Sequence, residues 1–217
     1  MQFIPALKAQ HNGSIAALLS YTQQHLAPPD LLVQGSLYQQ PISKAQGTPY
    51  LYTDSFTNGS IFIKDYIFNN VPLLIDLEQN QIVMQQIVDG KTLNILLSSQ
   101  SFDSIHVFNS THLPNRMGLF FPQLIYNGQM QLYFEYDKDF IATYNDLTPN
   151  GSYSKLIKKY FVVKNQQLIP IKNKHSIIKL SQNQKETRTF LKNNKFKFKK
   201  ADNRELRFIM KHLDYDN

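Results

Sequence analysis

The stretch Gln81-Ile82-Val83-Met84-Gln85-Gln86-Ile87-Val88-Asp89-Gly90-Lys91-Thr92-Leu93-Asn94-Ile95-Leu96-Leu97-Ser98 decides the fold. Two runs rich in Ile, Val, Leu and Thr, 81–88 and 92–98, flank Asp89-Gly90, a dipeptide that tolerates the positive φ of a tight turn. The stretch therefore reads as an antiparallel hairpin. The same texture repeats outward on both sides. Gly59-Ser60-Ile61-Phe62-Ile63 and Val71-Pro72-Leu73-Leu74-Ile75-Asp76-Leu77 precede it, and segments 102–108, 118–126, 129–136, 139–145, 155–164 and 167–172 follow. Asn127-Gly128 separates 118–126 from 129–136 by the same turn chemistry, and Asn80-Gln81 and Asn165-Gln166 mark further turns. The expected class is mainly β (α+β), an antiparallel meander sheet, curved or barrel-like, of about ten strands. A sheet that long either curls closed or needs cover for its edges, and the C-terminal part is the expected cover.

One short N-terminal helix and two C-terminal helices complete this reading. Asn12-Gly13-Ser14 precedes Ile15, Ala16, Leu18, Leu19 and Tyr21, which predicts a helix near 14–26 that stops before Pro28-Pro29. Ser181-Gln182-Asn183-Gln184 fits a capping box, with Phe190 and Leu191 as the apolar edge of the helix it starts. Asp202-Asn203-Arg204-Glu205 repeats the cap, and Leu206, Ile209, Met210 and Leu213 follow at helical spacing. Between the two, Lys195-Phe196-Lys197-Phe198-Lys199 alternates with period two, so an extended linker puts two phenylalanines on one side and three lysines on the other. The chain divides into an N-terminal segment (1–30), an antiparallel β domain (31–173) and a basic helical appendage packed on the sheet (174–217).

With 217 residues, 42% of them hydrophobic, the chain can bury a real core. The polar surface is rich in amides, 20 Gln and 18 Asn. Cysteine is absent, which excludes disulfides, thiolate zinc sites and thiol nucleophiles. The net charge of +7 hides a split: residues 1–154 carry 6 Lys and Arg against 11 Asp and Glu, whereas residues 155–217 carry 17 against 5. The tail is the basic object. It calls for an acidic counterpart: nucleic acid, anionic lipid or lipopolysaccharide, a partner protein, or the first part of this chain. No apolar run approaches the roughly 20 residues of a spanning helix.

No histidine pair shows helical metal spacing. His106 and His112 can share an ion only if Asn109-Ser110-Thr111 folds back; with Asp103 and Ser104 a hydrolytic set can be drawn, but no nucleophile elbow accompanies it. Strand-end polar residues are the favoured reading. Glu135, Asp137 and Asp139 alternate, which suits a cation or an acid/base pair, with Asp76 and Glu78 as a second row; a solvated sheet face is favoured over both. No glycine-rich phosphate loop or H-E-x-x-H occurs, so neither nucleotide cofactor nor metal is expected. Asn12-Gly13-Ser14, Asn58-Gly59-Ser60, Asn109-Ser110-Thr111 and Asn150-Gly151-Ser152 match the glycosylation pattern, and turn chemistry accounts for the three that contain Asn-Gly.

Several stretches in order carry a resemblance: Gly35-Ser36-Leu37-Tyr38, Gly47-Thr48-Pro49-Tyr50, Gly59-Ser60-Ile61-Phe62 through Asn70-Val71-Pro72-Leu73-Leu74-Ile75-Asp76, Gly128 before Leu132-Tyr133, and Tyr160-Phe161-Val162-Val163-Lys164. Ile177-Ile178-Lys179-Leu180, Phe190-Leu191-Lys192-Asn193-Asn194-Lys195 and Phe198-Lys199-Lys200 close it. Together they resemble an uncharacterised group of exported, β-rich proteins of the Gram-negative bacterial envelope. Ile75-Asp76 stands where Tyr-Asp is usual in that group. The resemblance implies a periplasmic or outer-membrane-associated location, with the cytoplasm as the alternative, and supplies no catalytic residues. Phe3-Ile4-Pro5-Ala6-Leu7 followed by Lys8-Ala9-Gln10 resembles the end of a secretory signal without its basic and apolar regions; an ordinary packed apolar segment is the competing reading. The expected function is a non-enzymatic envelope protein that acts as a protein-binding scaffold or accessory subunit. The alternative is an anion-binding module for lipopolysaccharide, lipid head groups or nucleic acid, and a carboxylate hydrolase ranks third. The expected binding residues are Lys192, Lys195, Lys197, Lys199, Lys200 and Arg204.

Overall fold

A computed structural model describes Leu32 and residues 35–39, 44–88 and 90–215. The helix expected near 14–26, and the 1–30 segment with it, lie outside the described residues. Twelve strands are seen in the described part: β1 (Thr57–Ile63), β2 (Tyr66–Asp76), β3 (Gln81–Val88), β4 (Lys91–Leu97), β5 (Ser104–Val107), β6 (Ser110–His112), β7 (Gln123–Asn127), β8 (Gln131–Asp137), β9 (Phe140–Ile141), β10 (Ser152–Tyr153), β11 (Ile157–Lys164) and β12 (Gln167–Ile171). Three helices follow: α1 (Lys174–Ile178), α2 (Gln184–Asn193) and α3 (Asn203–Tyr215). The fold is mainly β, and the pairings among these twelve strands are antiparallel.

The strands form a six-stranded sheet in the order β4-β3-β2-β1-β5-β6, a four-stranded sheet in the order β12-β11-β8-β7 and a two-stranded ribbon. Neither large sheet closes, which corrects the barrel-like expectation. The meander is also interrupted, because β5 returns to the free side of β1 rather than to β4, and β11 returns to β8. The β4 edge and the end of β2 are covered locally. Segment 36–38 lies along β4 through Leu96 N–H to Ser36 O and Tyr38 N–H to Asn94 O, both 2.8 Å, and Leu51 N–H reaches Ile75 O at 2.9 Å beside the end of β2. The C-terminal part covers a face rather than an edge.

Period-two alternation builds the larger core. Ile61 and Ile63, Leu73 and Ile75, Ile82 and Met84, Ile95 and Leu97, and Ile105 and Val107 all point into one cluster, joined by Leu51, Phe102 and Phe121. The opposite face is buried where Tyr38 and Tyr50 pack on Leu74 and Val83. The second core lies between the four-stranded sheet and the helices. Leu132, Phe134, Val162 and Ile171 meet Ile177, Leu191, Phe196, Leu206, Ile209, Met210 and Leu213.

Turn chemistry accounts for some loops and not others. Asn165 and Gln166 both have positive φ, 51° and 61°, between the paired residues Lys164 and Gln167, and Gly90 (φ 73°) sits between β3 and β4. Gly128 departs from the expectation, because its φ is not positive. A Cβ there would lie 2.0 Å from Asp214 Oδ2 and 2.6 Å from the Tyr126 hydroxyl. Glycine is required for the approach of α3, whose Asp214 carboxylate accepts hydrogen bonds from Tyr126 OH (2.8 Å), Gln129 N (2.8 Å) and Met130 N (3.2 Å). Burial, with this carboxylate second, pushes the Tyr126 phenol up to about 12. Gly128→Ala is expected to lower stability by about 1–2 kcal/mol in urea unfolding, by displacing Asp214 from three donors; an unchanged midpoint would show that the helix end adjusts freely. Asn58-Gly59 likewise is not a turn but part of β1, where a Cβ on Gly59 would meet His106 O at 2.7 Å.

Three further local expectations change. Segment 139–145 is strand only at Phe140–Ile141, since the Asn145 side chain accepts from Leu147 N and Thr148 N, both at 2.9 Å, and folds a turn instead. The cap of α2 is Asn183 rather than Ser181: Asn183 Oδ1 accepts from Glu186 N, and its amide donates to Glu186 Oε2. Ser181 is buried directly after Leu180, too early to cap. The 195–199 linker does not stay extended, because Phe198–Lys200 form a 3-10 turn. At α3, Asp202 Oδ1 accepts from Arg204 N and Glu205 N, both at 2.8 Å, while Glu205 reaches back to Asp202 N. No described helix is long and apolar enough to cross a membrane.

Candidate functional site

The face of the four-stranded sheet under the helices ends in a groove. β11 supplies Lys158 and Tyr160, the residues after and within β12 supply Lys172 and Ile171, and the 3-10 turn supplies Phe198. The groove encloses about 390 Å³ and its walls are mostly carbon. Strand alternation places Lys158, Tyr160 and Val162 on the helix side, with Val162 buried and the other two progressively more open toward Lys158. Phe198 stands edge-on to Tyr160 with ring centroids 5.4 Å apart. The Lys158 ammonium lies 4.8 Å from the Phe134 ring centre and 5.4 Å from that of Tyr136, within cation–π range. Burial raises the Tyr160 phenol above its ordinary value, so it stays protonated at neutral pH.

The basic residues expected from sequence surround this region unevenly. Lys199 and Lys200 lie in the same turn as Phe198, and Lys197 is its first flank; all three are exposed. Lys192 and Lys195 are exposed at the end of α2, Lys195 with φ 51°, and Arg204 is exposed in the first turn of α3. None of the six makes an ion pair within the described residues. The interleaved phenylalanines are not free stacking platforms: Phe196 is 6% exposed in the core, and Phe198 is half-buried on Tyr160. Sequence reasoning missed Lys158, Tyr160 and Lys172. The available signal was Lys158-Lys159-Tyr160-Phe161, paired cations followed by paired aromatics, in a segment read only as strand.

The catalytic candidates do not converge. Phe108 and Asn109 form a two-residue turn with φ 53° and 55°, so Ser110–His112 does fold back as β6. Ile105 opposes His112, however, while His106 opposes Thr111, which puts the two histidines on opposite faces of the sheet. His112 is buried, with Nδ1 3.3 Å from Phe121 O and Nε2 3.4 Å from the Gln123 amide nitrogen. Burial, chiefly, lowers its pKa to about 4. Asp103 is engaged by Lys64 N–H.

Of the three alternating carboxylates, Glu135 accepts from Phe120 N at 2.9 Å and Asp137 meets the Lys159 ammonium at 2.5 Å. Asp139 lies past the end of β8, its N–H donating to Ser154 Oγ. Burial pushes the Glu135 carboxyl up, against the opposing pull of the Phe120 N–H, and the Asp137 hydrogen bond holds the Lys159 ammonium above its ordinary value. Asp76 is not part of a second row: it is fully buried and accepts from Tyr38. Among the described residues no three His, Asp or Glu side chains are placed to hold a metal ion.

The fold and groove define a mainly antiparallel β protein with one sheet face roofed by helices and a cationic, aromatic-walled recess at the margin of that roof. Comparison of the chain with protein-family models, with curated proteins and with solved structures gives no match.

Proposed function

We propose that the chain is a non-enzymatic binding protein that engages an acidic segment of a partner protein through this groove and the lysines of the adjoining turn. The observation that carries the reading is the groove itself: an apolar recess walled by Tyr160, Ile171 and Phe198 and rimmed by Lys158 and Lys172. An apolar centre ringed by charge has the anatomy of a protein-binding hot spot. Lys197, Lys199 and Lys200, with no ion pairs in the described residues, extend the cationic rim. The envelope location stays part of the proposal on the strength of the sequence resemblance.

The test is an affinity pull-down of the tagged chain from the cells that make it, at low and high salt, with anionic phospholipid vesicles and single-stranded nucleic acid assayed in parallel. One acidic protein retained in stoichiometric amount, and held about tenfold more weakly by Phe198→Ala, is the expected result. The triple change of Lys197, Lys199 and Lys200 to Ala should chiefly slow association and flatten the salt dependence. Retention of vesicles or nucleic acid alone would replace this reading with the anion-binding one. A partner held equally by all variants would move the interface elsewhere.

A further inference from the structure

On the outer face of the six-stranded sheet a row of polar side chains crosses four neighbouring strands. Asn69 on β2 accepts from the Ser60 hydroxyl on β1 at 2.8 Å. Ser60 is opposite His106 on β5, and His106 is opposite Thr111 on β6, with Nδ1 3.2 Å from the threonine hydroxyl. Adjacent strands are about 4.8 Å apart, so the row from Asn69 to Thr111 runs about 14 Å. Over it lies an open cleft of about 500 Å³, lined by Asn58, Ser60, Asn69, Asn70, His106 and Asn109 among others.

Backbone irregularity shapes this cleft. The register of β1 and β2 shifts between Gly59 and Ile61, so that Asn69 and Asn70 together face Ser60, and Asn70 takes φ 57°. At the other rim Phe108 holds φ 53°, a conformation disfavoured for a bulky side chain, and packs edge-on against Tyr52 at 5.1 Å. Gly59 is what lets β1 lie against His106 O closely enough for the row to be continuous.

The lining contains no Lys, Arg, Asp or Glu. Apart from the His106 imidazole it offers no ionisable side chain to select an ion, and its exposed surface is mostly polar, which does not suit an apolar ligand. What it offers is a line of amides and hydroxyls, each able both to donate and to accept. The side-chain amides of Asn58, Asn70 and Asn109 make no hydrogen bond within the described residues, so they are available to a ligand. A ligand that matches such a line is neutral, elongated and dense in hydroxyl groups. We infer that this cleft is a binding site for a neutral oligosaccharide lying across strands β2, β1, β5 and β6.

The experiment is an NMR titration of the isotope-labelled full chain with maltotriose, cellotriose and chitotriose, each separately. At least one sugar should give saturable shifts in the side-chain amides of Asn58, Asn69 and Asn109 and in the His106 ring. The double variant Ser60→Ala/His106→Ala should weaken that binding about tenfold or more, as expected for the loss of two neutral hydrogen bonds. Its thermal midpoint is measured alongside, and should it fall, Asn58→Ala, a change at an exposed strand position, carries the same readout. Absence of saturable shifts with all three sugars, shifts confined to the lysine groove, or binding unchanged in these variants would each overturn the inference.

Discussion

Replacing Asp76 by alanine is expected to lower the free energy of unfolding by about 3 kcal/mol, the range found when one member of a buried charged network is removed. Asp76 is fully buried at the end of β2. Its Oδ1 accepts from Glu78 N and Gln79 N, both at 2.9 Å, which shapes the turn into β3. Its Oδ2 accepts from the Tyr38 hydroxyl at 2.7 Å. The Tyr38 proton is thus committed to Asp76, and the Tyr50 hydroxyl, 3.2 Å away, donates to Tyr38 in turn. Burial, with these partners next, drives the Tyr38 phenol far above its ordinary value. One carboxylate therefore closes a hairpin and ties down the segments that cover the sheet. Alanine leaves two amides and a phenol without their acceptor, whereas Asp76→Asn keeps one acceptor oxygen and should cost about half as much. Urea unfolding of both variants checks the order, and an Asp76→Ala midpoint equal to that of the parent chain would show that Tyr38 and Tyr50 are held by packing alone.

The second large effect is a pH dependence centred on His112. Its folded-state pKa is lowered from 6.5 to about 4, because a charged imidazole beneath the sheet would lose its water. Below the ordinary histidine value the unfolded chain takes up a proton that the folded protein refuses, so protons favour unfolding. The sign is a loss of stability as the pH falls from 6.5 to about 4. The full contribution is on the order of 3 kcal/mol, from the size of the shift. The neutral ring has a defined tautomer: Nδ1 donates to Phe121 O, and Nε2 accepts from the Gln123 amide. Unfolding measured across this interval for the parent chain and for His112→Gln isolates the effect, since other groups titrate alike in both. The parent curve should fall more steeply than the variant curve; parallel curves would mean that water reaches the ring.

Much of the local structure is legible in short stretches. Asn165-Gln166 adopts positive φ at both residues, as its turn chemistry requires, and 81–88 pairs with the run after Gly90. Leu206, Ile209, Met210 and Leu213 recur at helical spacing, and all four are buried. Each of these rests on a few neighbouring residues whose backbone preferences and side-chain directions agree. Two glycines in Asn-Gly pairs have tertiary rather than local reasons. Gly128 is glycine because Asp214 must approach, and Gly59 because His106 O must, and neither partner is near it in sequence.

The candidate site divides along the same line. The lysines of 192–200 announce a cationic surface without any structure, because charge is a property of composition. The groove that gives those charges an apolar centre requires Tyr160 from one strand, Ile171 from another and Phe198 from a turn after α2, and no pattern within any one segment records that meeting. The polar row from Asn69 to Thr111 likewise exists only once β5 has returned to the free side of β1.

Read without coordinates, this chain is already a β-rich antiparallel protein with an acidic first part and a basic last part, since alternation, turn dipeptides and charge are local quantities. Open sheets rather than a barrel, edges covered by residues 36–38 and 49–51, helices laid on a face, and one histidine buried while its neighbour faces outward were settled by pairing across long stretches of chain. Such pairings depend on which surfaces fit and exclude water together, and that free energy belongs to the assembled core rather than to any of its segments.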